Sequence, residues 1–282
     1  MGKLNLTKQS LKKQKFKKAL HEQYQSLGLK LINLMARSGD YQEMETGYGD
    51  NRRHRYDSYF HLNQVEGRAK IIFLYGGGWQ SGSRKDFRFV ADTLCSLGFD
   101  VFVPDYRLYP EVRFDEILED VVAAVDMIMN EHDGSFFIMG HSAGAQLGAL
   151  LSLNSGLLQS PERISGFIGL AGPYDFYPFT DEEHWDLFAP EEAYPESQPV
   201  NYVRADAPPL LLLHGRDDTR VRRGHSKSLL EKQQAAGGLA SREVYDEMGH
   251  VDIILSFTRL HRRKSKVVTD LQRFVVQHQL NS

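Results

Sequence analysis

Short runs of apolar residues alternate along the chain with longer segments in which apolar residues recur every three or four positions. The runs at 71–74 and 210–213 are apolar throughout, which is typical of strands buried on both faces of a parallel sheet. Such runs predict strands at 59–62, 69–75, 99–104, 135–139, 164–170, 209–214 and 243–246.

The segments between these runs have the periodicity of amphipathic helices. One helix face is predicted from Phe114, Ile117, Leu118, Val121, Val125 and Ile128. A further helix is predicted around Cys95, whose thiol is expected to be buried. Another helix is predicted at the C-terminal end, around Leu271 and Phe274. Alternating strands and helices predict one doubly wound, mostly parallel α/β domain over residues 48–282. Residues 173–203 are too long for an ordinary connection, so we expect a cap-like insertion there.

Residues 1–47 are predicted to form a separate N-terminal part, a basic leader and a packing helix. The first 20 residues contain seven lysines and no acidic residue, without the apolar stretch of a secretory signal. An apolar stripe at helical spacing follows at Leu20, Tyr24, Leu27, Leu31 and Leu34. We favour a lysine-rich leader that enters a helix packed on the main domain. A transit peptide or a helix lying on a membrane surface is the alternative.

Composition narrows the class of protein further. The chain has 282 residues, with 34 Lys and Arg against 37 Asp and Glu, so it lacks the basic surplus of a nucleic-acid-binding protein. No apolar run approaches 20 residues, which argues against integral membrane association. Cys95 is the only cysteine, which excludes an intrachain disulfide and fits a cytoplasmic protein. The histidines are scattered, so we expect neither a metal nor another cofactor.

A serine stands where a predicted strand meets a helix rich in small residues. The strand at 135–139 runs into the pentapeptide GHSAG, residues 140–144, which has the G-x-S-x-G pattern. A sharp strand-to-helix turn of this kind requires glycines on both sides and exposes the serine at the N-terminus of the helix. The pattern therefore predicts Ser142 as a catalytic nucleophile.

A nucleophilic serine also needs donors for the oxyanion of a tetrahedral intermediate. The strand predicted at 69–75 ends in Y-G-G-G-W, residues 75–79, where the glycines allow the backbone to approach a substrate closely. Gly77, Gly78 and Ala143 are the expected amide donors. An ordinary glycine turn is the alternative, and no Walker motif is present to suggest a nucleotide loop.

The general base is expected at the carboxyl end of the last predicted strand, where active groups of open α/β sheets collect. His250 occupies that position, whereas His141 and His214 are interpreted as structural. A carboxylate that orients the base should follow the preceding strand. Asp217 and Asp218 both do so, and the residues themselves do not separate them.

These motifs together resemble α/β-hydrolase-fold esterases of the hormone-sensitive-lipase-like and kynurenine-formamidase-like branches, in the chain order Ser, Asp, His. The resemblance includes DYRLYPE at 105–111, which is similar to the D-Y-R-L-x-P-E segment of those branches, and extends over about residues 48–279. It implies an α/β-hydrolase fold and hydrolysis without a cofactor. It also implies Asp218 as the acid, three positions after the His-Gly pair, with Asp217 as the second choice.

One position departs from the pattern of the resembled branches. Tyr75 stands where they commonly have histidine before the glycine triplet, and its phenol could fix the loop or face the acyl pocket. Aromatic residues also cluster in the insertion at 173–203. We expect the substrate pocket to include Tyr75, Trp79, Tyr174 and Phe176, although the aromatic residues of the insertion could simply pack it against the body.

The sequence thus predicts a carboxylesterase-type serine hydrolase that cleaves small carboxylic esters through an acyl-enzyme. Amide hydrolysis of the arylformamidase type is the alternative within the same chemistry, since both reactions use the same triad. A ligand-binding homologue without catalytic activity is the alternative of another class. Among partners, we expect a small-molecule ester and no nucleic acid.

Overall fold

The apolar runs of the sequence form the centre of one eight-stranded sheet. A computed structural model describes residues 32–33, 41–62 and 67–279. Along the sheet the strand order is β1-β2-β4-β3-β5-β6-β7-β8. Strand β2 is antiparallel to both of its neighbours, and β3 to β8 are parallel to one another. The strands are β1 Tyr41–Gly47, β2 Arg55–His61, β3 Lys70–Leu74, β4 Asp100–Pro104, β5 Phe136–His141, β6 Ile164–Leu170, β7 Leu210–Gly215 and β8 Ala240–Tyr245.

Helices cover both faces of this sheet. They are α1 Arg88–Ser96, α2 Phe114–Glu131, α3 Ala143–Leu153, α4 Glu182–Leu187, α5 Gly224–Ala235, α6 His250–Leu255 and α7 Lys266–Gln279. Short 3-10 helices lie at Arg84–Phe87, Pro161–Arg163, Glu191–Ser197 and Pro199–Tyr202. None of the helices within the described ranges is long and apolar enough to span a bilayer.

Two adjacent residues of β5 show how the helices are divided between the faces. The backbone of α3 approaches Ile138 so closely that a side-chain carbon at Gly148 would lie 3.0 Å from the Ile138 Cγ2 atom. The ring of Phe274 in α7 packs against Phe137, with 6.2 Å between centroids. Since successive residues of a strand face opposite sides, α3 and α7 cover opposite faces. The predicted doubly wound sheet is confirmed.

Two strands at the edge of the sheet differ from the prediction. Strand β1 lies within the part assigned to the leader and the packing helix, and it carries Glu43 and Glu45 in place of an apolar run. As an edge strand it pairs on one side only, so its side chains need little burial. Strand β2 begins at Arg55, four residues earlier than predicted, because the buried Asp57 and Ser58 interrupt its apolar pattern. Apart from residues 32–33, the predicted packing helix lies outside the described residues.

The parallel strands gather four chemically important segments at one edge of the sheet. The glycine loop follows β3, Ser142 follows β5, the Asp217-Asp218 pair follows β7 and His250 follows β8. Carboxyl ends of parallel strands lie side by side. The insertion at 173–203 leaves the same edge after β6 and contains α4 and two of the 3-10 helices.

Candidate active site

Ser142 lies in a strained turn between β5 and α3. Its backbone has φ 54° and ψ −122°, a region that non-glycine residues rarely adopt. A side-chain carbon at Gly140 would lie 2.2 Å from the Gly144 carbonyl oxygen, and one at Gly144 would lie 2.1 Å from the Leu74 carbonyl oxygen. Only glycine fits at both places, because α3 passes directly over the ends of β3 and β5. The turn therefore holds Ser142 at the N-terminus of α3.

The side chains of Ser142, His250 and Asp218 form one chain of hydrogen bonds. The His250 Nε2 atom lies 2.9 Å from the Ser142 hydroxyl oxygen, and its Nδ1 atom lies 2.8 Å from the Asp218 Oδ2 atom. His250 and Asp218 are each only 8% exposed. With Asp218 accepting from Nδ1, the Nε2 atom can accept the hydroxyl proton of Ser142.

The Asp218 carboxylate is held in its charged form by its neighbours. Burial alone would raise its pKa, but hydrogen bonds from His214 and His250, together with the charge of His250, lower the pKa well below its ordinary value. The Asp218 Oδ1 atom accepts hydrogen bonds from the backbone amides of Arg220 and Val221, at 2.9 Å each. The carboxylate is thus ionised and fixed in direction over the whole neutral range.

The side chains of the adjacent residues Asp217 and Asp218 point in different directions. The Asp217 side chain is exposed, and its backbone amide donates to the Met248 carbonyl oxygen at 2.9 Å. His214 lies on the other side of Asp218, with its Nε2 atom 3.3 Å from Asp218 Oδ2 and 3.0 Å from the Val221 carbonyl oxygen. His214 is therefore a positioning partner of the carboxylate, a contact that the sequence pattern did not reveal.

The glycine loop after β3 lies directly against the serine turn. A side-chain carbon at Gly76 would lie 2.8 Å from the Ser142 Cβ atom. The Gly77 carbonyl accepts from the amides of Gln80 and Ser81, at 3.2 and 3.1 Å. Among the hydrogen bonds of the described residues, none is donated by the amides of Gly77, Gly78 or Ala143. Three donors beside the serine are thereby left for a ligand.

We expect Gly77→Ala and Gly78→Ala to differ sharply in kcat. A methyl group at Gly77 would lie 1.9 Å from the Ser81 carbonyl oxygen, whereas Gly78 has open space around it. The first substitution must displace the loop, with a loss of about 10² or more in kcat. The second leaves the amide in place and adds only backbone strain at φ 61°, so we expect less than about a tenfold loss. Ester hydrolysis by both purified variants measures this, and equal losses would contradict it.

Tyr75 anchors the glycine loop from behind. Its side chain is fully buried and stacks between Phe87 and Tyr106. Burial raises the pKa of Tyr75 well above its ordinary value, so the hydroxyl donates to the Asp105 Oδ1 atom and accepts from the Arg53 Nη2 atom, at 2.8 Å each. A side chain with no exposed surface cannot line a substrate pocket, so that predicted role for Tyr75 is wrong.

The DYRLYPE segment completes this anchor. Asp105 also accepts from the Arg84 backbone amide at 2.7 Å and from its guanidinium at 2.5 Å. Tyr106 donates its hydroxyl proton to the Tyr75 carbonyl oxygen at 2.9 Å, and the Tyr109 amide donates to the Trp79 carbonyl oxygen at 3.0 Å. Both ends of the glycine loop are therefore tied to the segment after β4.

The insertion forms an aromatic wall over the glycine loop. Trp79 is 4% exposed and packs on the partly buried Phe176 and on Phe188, with centroids 5.9 and 5.1 Å apart. The Trp79 indole N–H donates to the side chain of Gln146 in α3 at 3.1 Å. Tyr174 is fully buried and packs on Phe167 of β6, with 6.2 Å between centroids, and its predicted place in the pocket is wrong for the same reason as that of Tyr75.

His141 supports His250 from the side. Its Nε2 atom donates to the His250 carbonyl oxygen at 3.2 Å, and the two rings lie 5.0 Å apart. Burial, and then the nearby charge of His250, lower the pKa of His141 to about 3. The ring is therefore neutral at neutral pH and fixes the backbone of the residue that it touches.

We expect the neutral His141 to make the protein less stable in mild acid. In the folded state the pKa of His141 is lowered to about 3 from its ordinary value of 6.5. Below pH 6.5 the unfolded chain therefore binds a proton at this residue that the folded chain does not bind. Between pH 7.5 and 5.0 the wild type should lose about 2 kcal/mol of unfolding free energy relative to His141→Gln. Urea unfolding of both proteins at the two pH values measures this. A stability difference that does not change with pH would contradict the assignment.

The sheet order, the serine turn and the loops around it define the class of the protein, the α/β-hydrolase fold that the sequence predicts. Among solved structures, esterase B from Lactobacillus rhamnosis superposes with a TM-score of 0.76 at 17% identity, over 93% of this chain and 92% of that chain. The BD-FAE family model matches residues 56–233. The chain therefore belongs to the BD-FAE family.

Curated relatives share about a quarter of their residues with this chain. A probable isoprenylcysteine alpha-carbonyl methylesterase of Arabidopsis thaliana is 25% identical over 240 residues, which cover 74% of this chain and 50% of the relative. The chain thus spans about half the length of this relative. A kynurenine formamidase of Danio rerio is 25% identical over 228 residues, which cover 78% of each protein.

Proposed function

We propose that this protein is a serine hydrolase that cleaves small carboxylic esters through an acyl-enzyme intermediate. The single observation that carries the proposal is the hydrogen-bond chain from Ser142 through His250 to Asp218, with 2.9 and 2.8 Å between the bonded atoms. Relatives and structural neighbours named as esterases support the same class. A ligand-binding homologue without catalytic activity would not need these two hydrogen bonds.

Acylation begins with proton transfer from the Ser142 hydroxyl to the His250 Nε2 atom. The serine oxygen then attacks the carbonyl carbon of the ester, and the carbonyl oxygen becomes negative. The amides of Gly77, Gly78 and Ala143 donate to that oxygen. Because the loop is already anchored, these donors need little rearrangement as the charge develops. Asp218 meanwhile stabilises the imidazolium form of His250.

The intermediate collapses when His250 returns its proton to the oxygen of the departing alcohol. The acyl group stays on Ser142 as an ester, and a water molecule takes the place of the alcohol. His250 removes a proton from this water, and the tetrahedral intermediate forms a second time. It collapses when His250 returns that proton to the Ser142 oxygen, which releases the carboxylic acid and restores the serine hydroxyl. No cofactor enters these steps.

The aromatic wall favours small, apolar acyl groups. We assign the pocket to Trp79 and Phe176, which lie over the glycine loop that holds the oxyanion donors. Phe179 and Phe188 pack against Phe176, at 5.6 and 5.4 Å between centroids. This packing leaves the rings little freedom to move aside for a long chain.

Amide hydrolysis of the arylformamidase type is the second candidate. The kynurenine formamidase of Danio rerio matches over 78% of its own length, more than the isoprenylcysteine methylesterase of Arabidopsis thaliana does. The same residues would act in the same order, with an amine as leaving group and a formyl group on Ser142. An aromatic amide is compatible with the wall formed by Trp79 and Phe176.

A substrate comparison tests both candidates. We expect kcat/KM to be highest for p-nitrophenyl acetate and butyrate, lower for acetylated sugars and lowest for N-formylkynurenine. An organophosphate probe followed by peptide mass spectrometry should label Ser142. A preference for N-formylkynurenine would establish the second candidate. Well-folded protein that neither turns over these substrates nor reacts with the probe would reject both.

A further inference from the structure

A basic segment runs from the turn after α6 to the first residue of α7, at residues 259–266, and is called the basic turn here. Its sequence is RLHRRKSK, with five cationic residues and no acidic one. Leu260 in this turn is 78% exposed, the largest exposed fraction among the large apolar side chains of the described residues. Neither the catalytic site nor the hydrophobic core uses these side chains.

Hydrogen bonds order the backbone of the basic turn. The amides of His261 and Arg262 donate to the Thr258 carbonyl oxygen at 3.0 and 2.8 Å, and the Lys264 amide donates to the His261 carbonyl oxygen at 3.0 Å. The Thr258 hydroxyl lies 2.7 Å from the His261 Nδ1 atom. Leu260 is thus displayed on a preformed turn, so a partner need not order the backbone in order to use it.

One acidic residue of the body holds the turn in place. Asp92 of α1 is 2% exposed and pairs with Arg262 at 2.8 Å and with Arg259 at 3.4 Å. Arg263, Lys264 and Lys266 are exposed, and within the described ranges they form no ion pair. The turn therefore presents a net positive charge beside an exposed leucine.

Asn33, in the short described part of the N-terminal region, contacts the body at the same helix. The Asn33 side chain accepts from the Phe89 amide at 3.0 Å and donates to the Asp86 carbonyl oxygen at 2.6 Å. Phe89 and Asp92 lie three residues apart on α1, about one helical turn. Asn33 is therefore held at the same helix whose Asp92 pairs with the basic turn.

We propose that the basic turn docks the protein on an anionic lipid bilayer. Cations at such a surface gain from the negative potential of the headgroups, and an apolar side chain between them can enter the acyl boundary. A nucleic acid fits less well, because the turn has no Phe, Tyr or Trp ring on which a base could stack. The turn follows α6, whose first residue is His250, so docking would bring the active site close to lipid-borne esters.

Vesicle sedimentation of the full chain tests this docking. The vesicles contain phosphatidylcholine, alone or with roughly 30 mol% phosphatidylglycerol. We expect at least about tenfold stronger partition onto the anionic vesicles at about 0.05 M salt, and loss of that preference at about 0.5 M. Arg263→Gln with Lys264→Gln should weaken partition about 25-fold, or about fivefold for each charge. Leu260→Ser should weaken it about tenfold.

The matched control removes two cations from α5. This helix packs with α3 against the 3-10 helix Pro199–Tyr202, on the face away from α7. Lys227→Gln with Lys232→Gln makes the same change of net charge and should leave partition within about twofold. Equal loss in both double variants, or no preference of the wild type for anionic vesicles, would overturn the proposal. Binding to an RNA duplex in place of anionic vesicles would overturn it as well.

Discussion

Ser142→Ala is expected to lower kcat on p-nitrophenyl acetate by about 10⁶. The hydroxyl oxygen is the only atom removed, and it is the atom that lies 2.9 Å from the His250 Nε2 atom. Without it His250 has no serine proton to accept and no acyl-enzyme can form. The amides of the glycine loop remain, so a residual rate of about 10³ to 10⁴ over water should persist.

The Ser142→Ala variant should keep its fold. Its backbone amide still donates to the Leu170 carbonyl oxygen at 2.9 Å, and alanine at φ 54° is strained to about the same degree as serine. We expect an unchanged circular-dichroism spectrum and a Tm within a few degrees of the wild type. Near-wild-type turnover by the folded variant would reject Ser142 as the nucleophile.

Asp218→Asn is expected to lower kcat by about 10⁴. An asparagine can keep the hydrogen bonds from the amides of Arg220 and Val221, so the loop should retain its shape. It cannot stabilise the imidazolium form of His250, and its amide nitrogen favours the tautomer with the proton on Nε2. That tautomer is unable to accept the proton of Ser142.

Asp217→Asn is the matched control for the acid. The substitution makes the same chemical change one residue earlier in the chain, on an exposed side chain. We expect kcat within about threefold of the wild type, since an exposed carboxylate away from the site contributes little. Steady-state kinetics of both variants, measured side by side, compare their losses in kcat. A larger loss for Asp217→Asn would move the acid role to that residue.

Local sequence signals were sufficient for the central strands and for the positions of the serine and the histidine. The run at 164–170 coincides with β6 Ile164–Leu170, because a central strand of a parallel sheet is covered on both faces and is therefore almost continuously apolar. The choice between Asp217 and Asp218 needed more than spacing. It depends on the loop after β7, which turns one carboxylate toward His250 and the other toward solvent.

The sequence could not predict contacts between segments distant along the chain. Tyr75 and Asp105 are 30 residues apart, and His141 and His250 are 109 apart. No periodicity or short motif relates such pairs, since their contact depends on the register of neighbouring strands. Strand β1 was missed for a different reason: an edge strand with alternating polar side chains has no continuous apolar run.

The buried anchor behind the glycine loop also affects how inhibitors should bind. Tyr75, Arg84 and Asp105 fix the loop from within the protein, so with the oxyanion donors that we propose, we expect the receptor for a tetrahedral adduct to be preformed. A small phosphonate that mimics this adduct should then meet a rigid receptor, and we expect its rate of capture to depend on how it passes the rings of Trp79, Phe176 and Phe188. Differences among such inhibitors should therefore follow their size and shape.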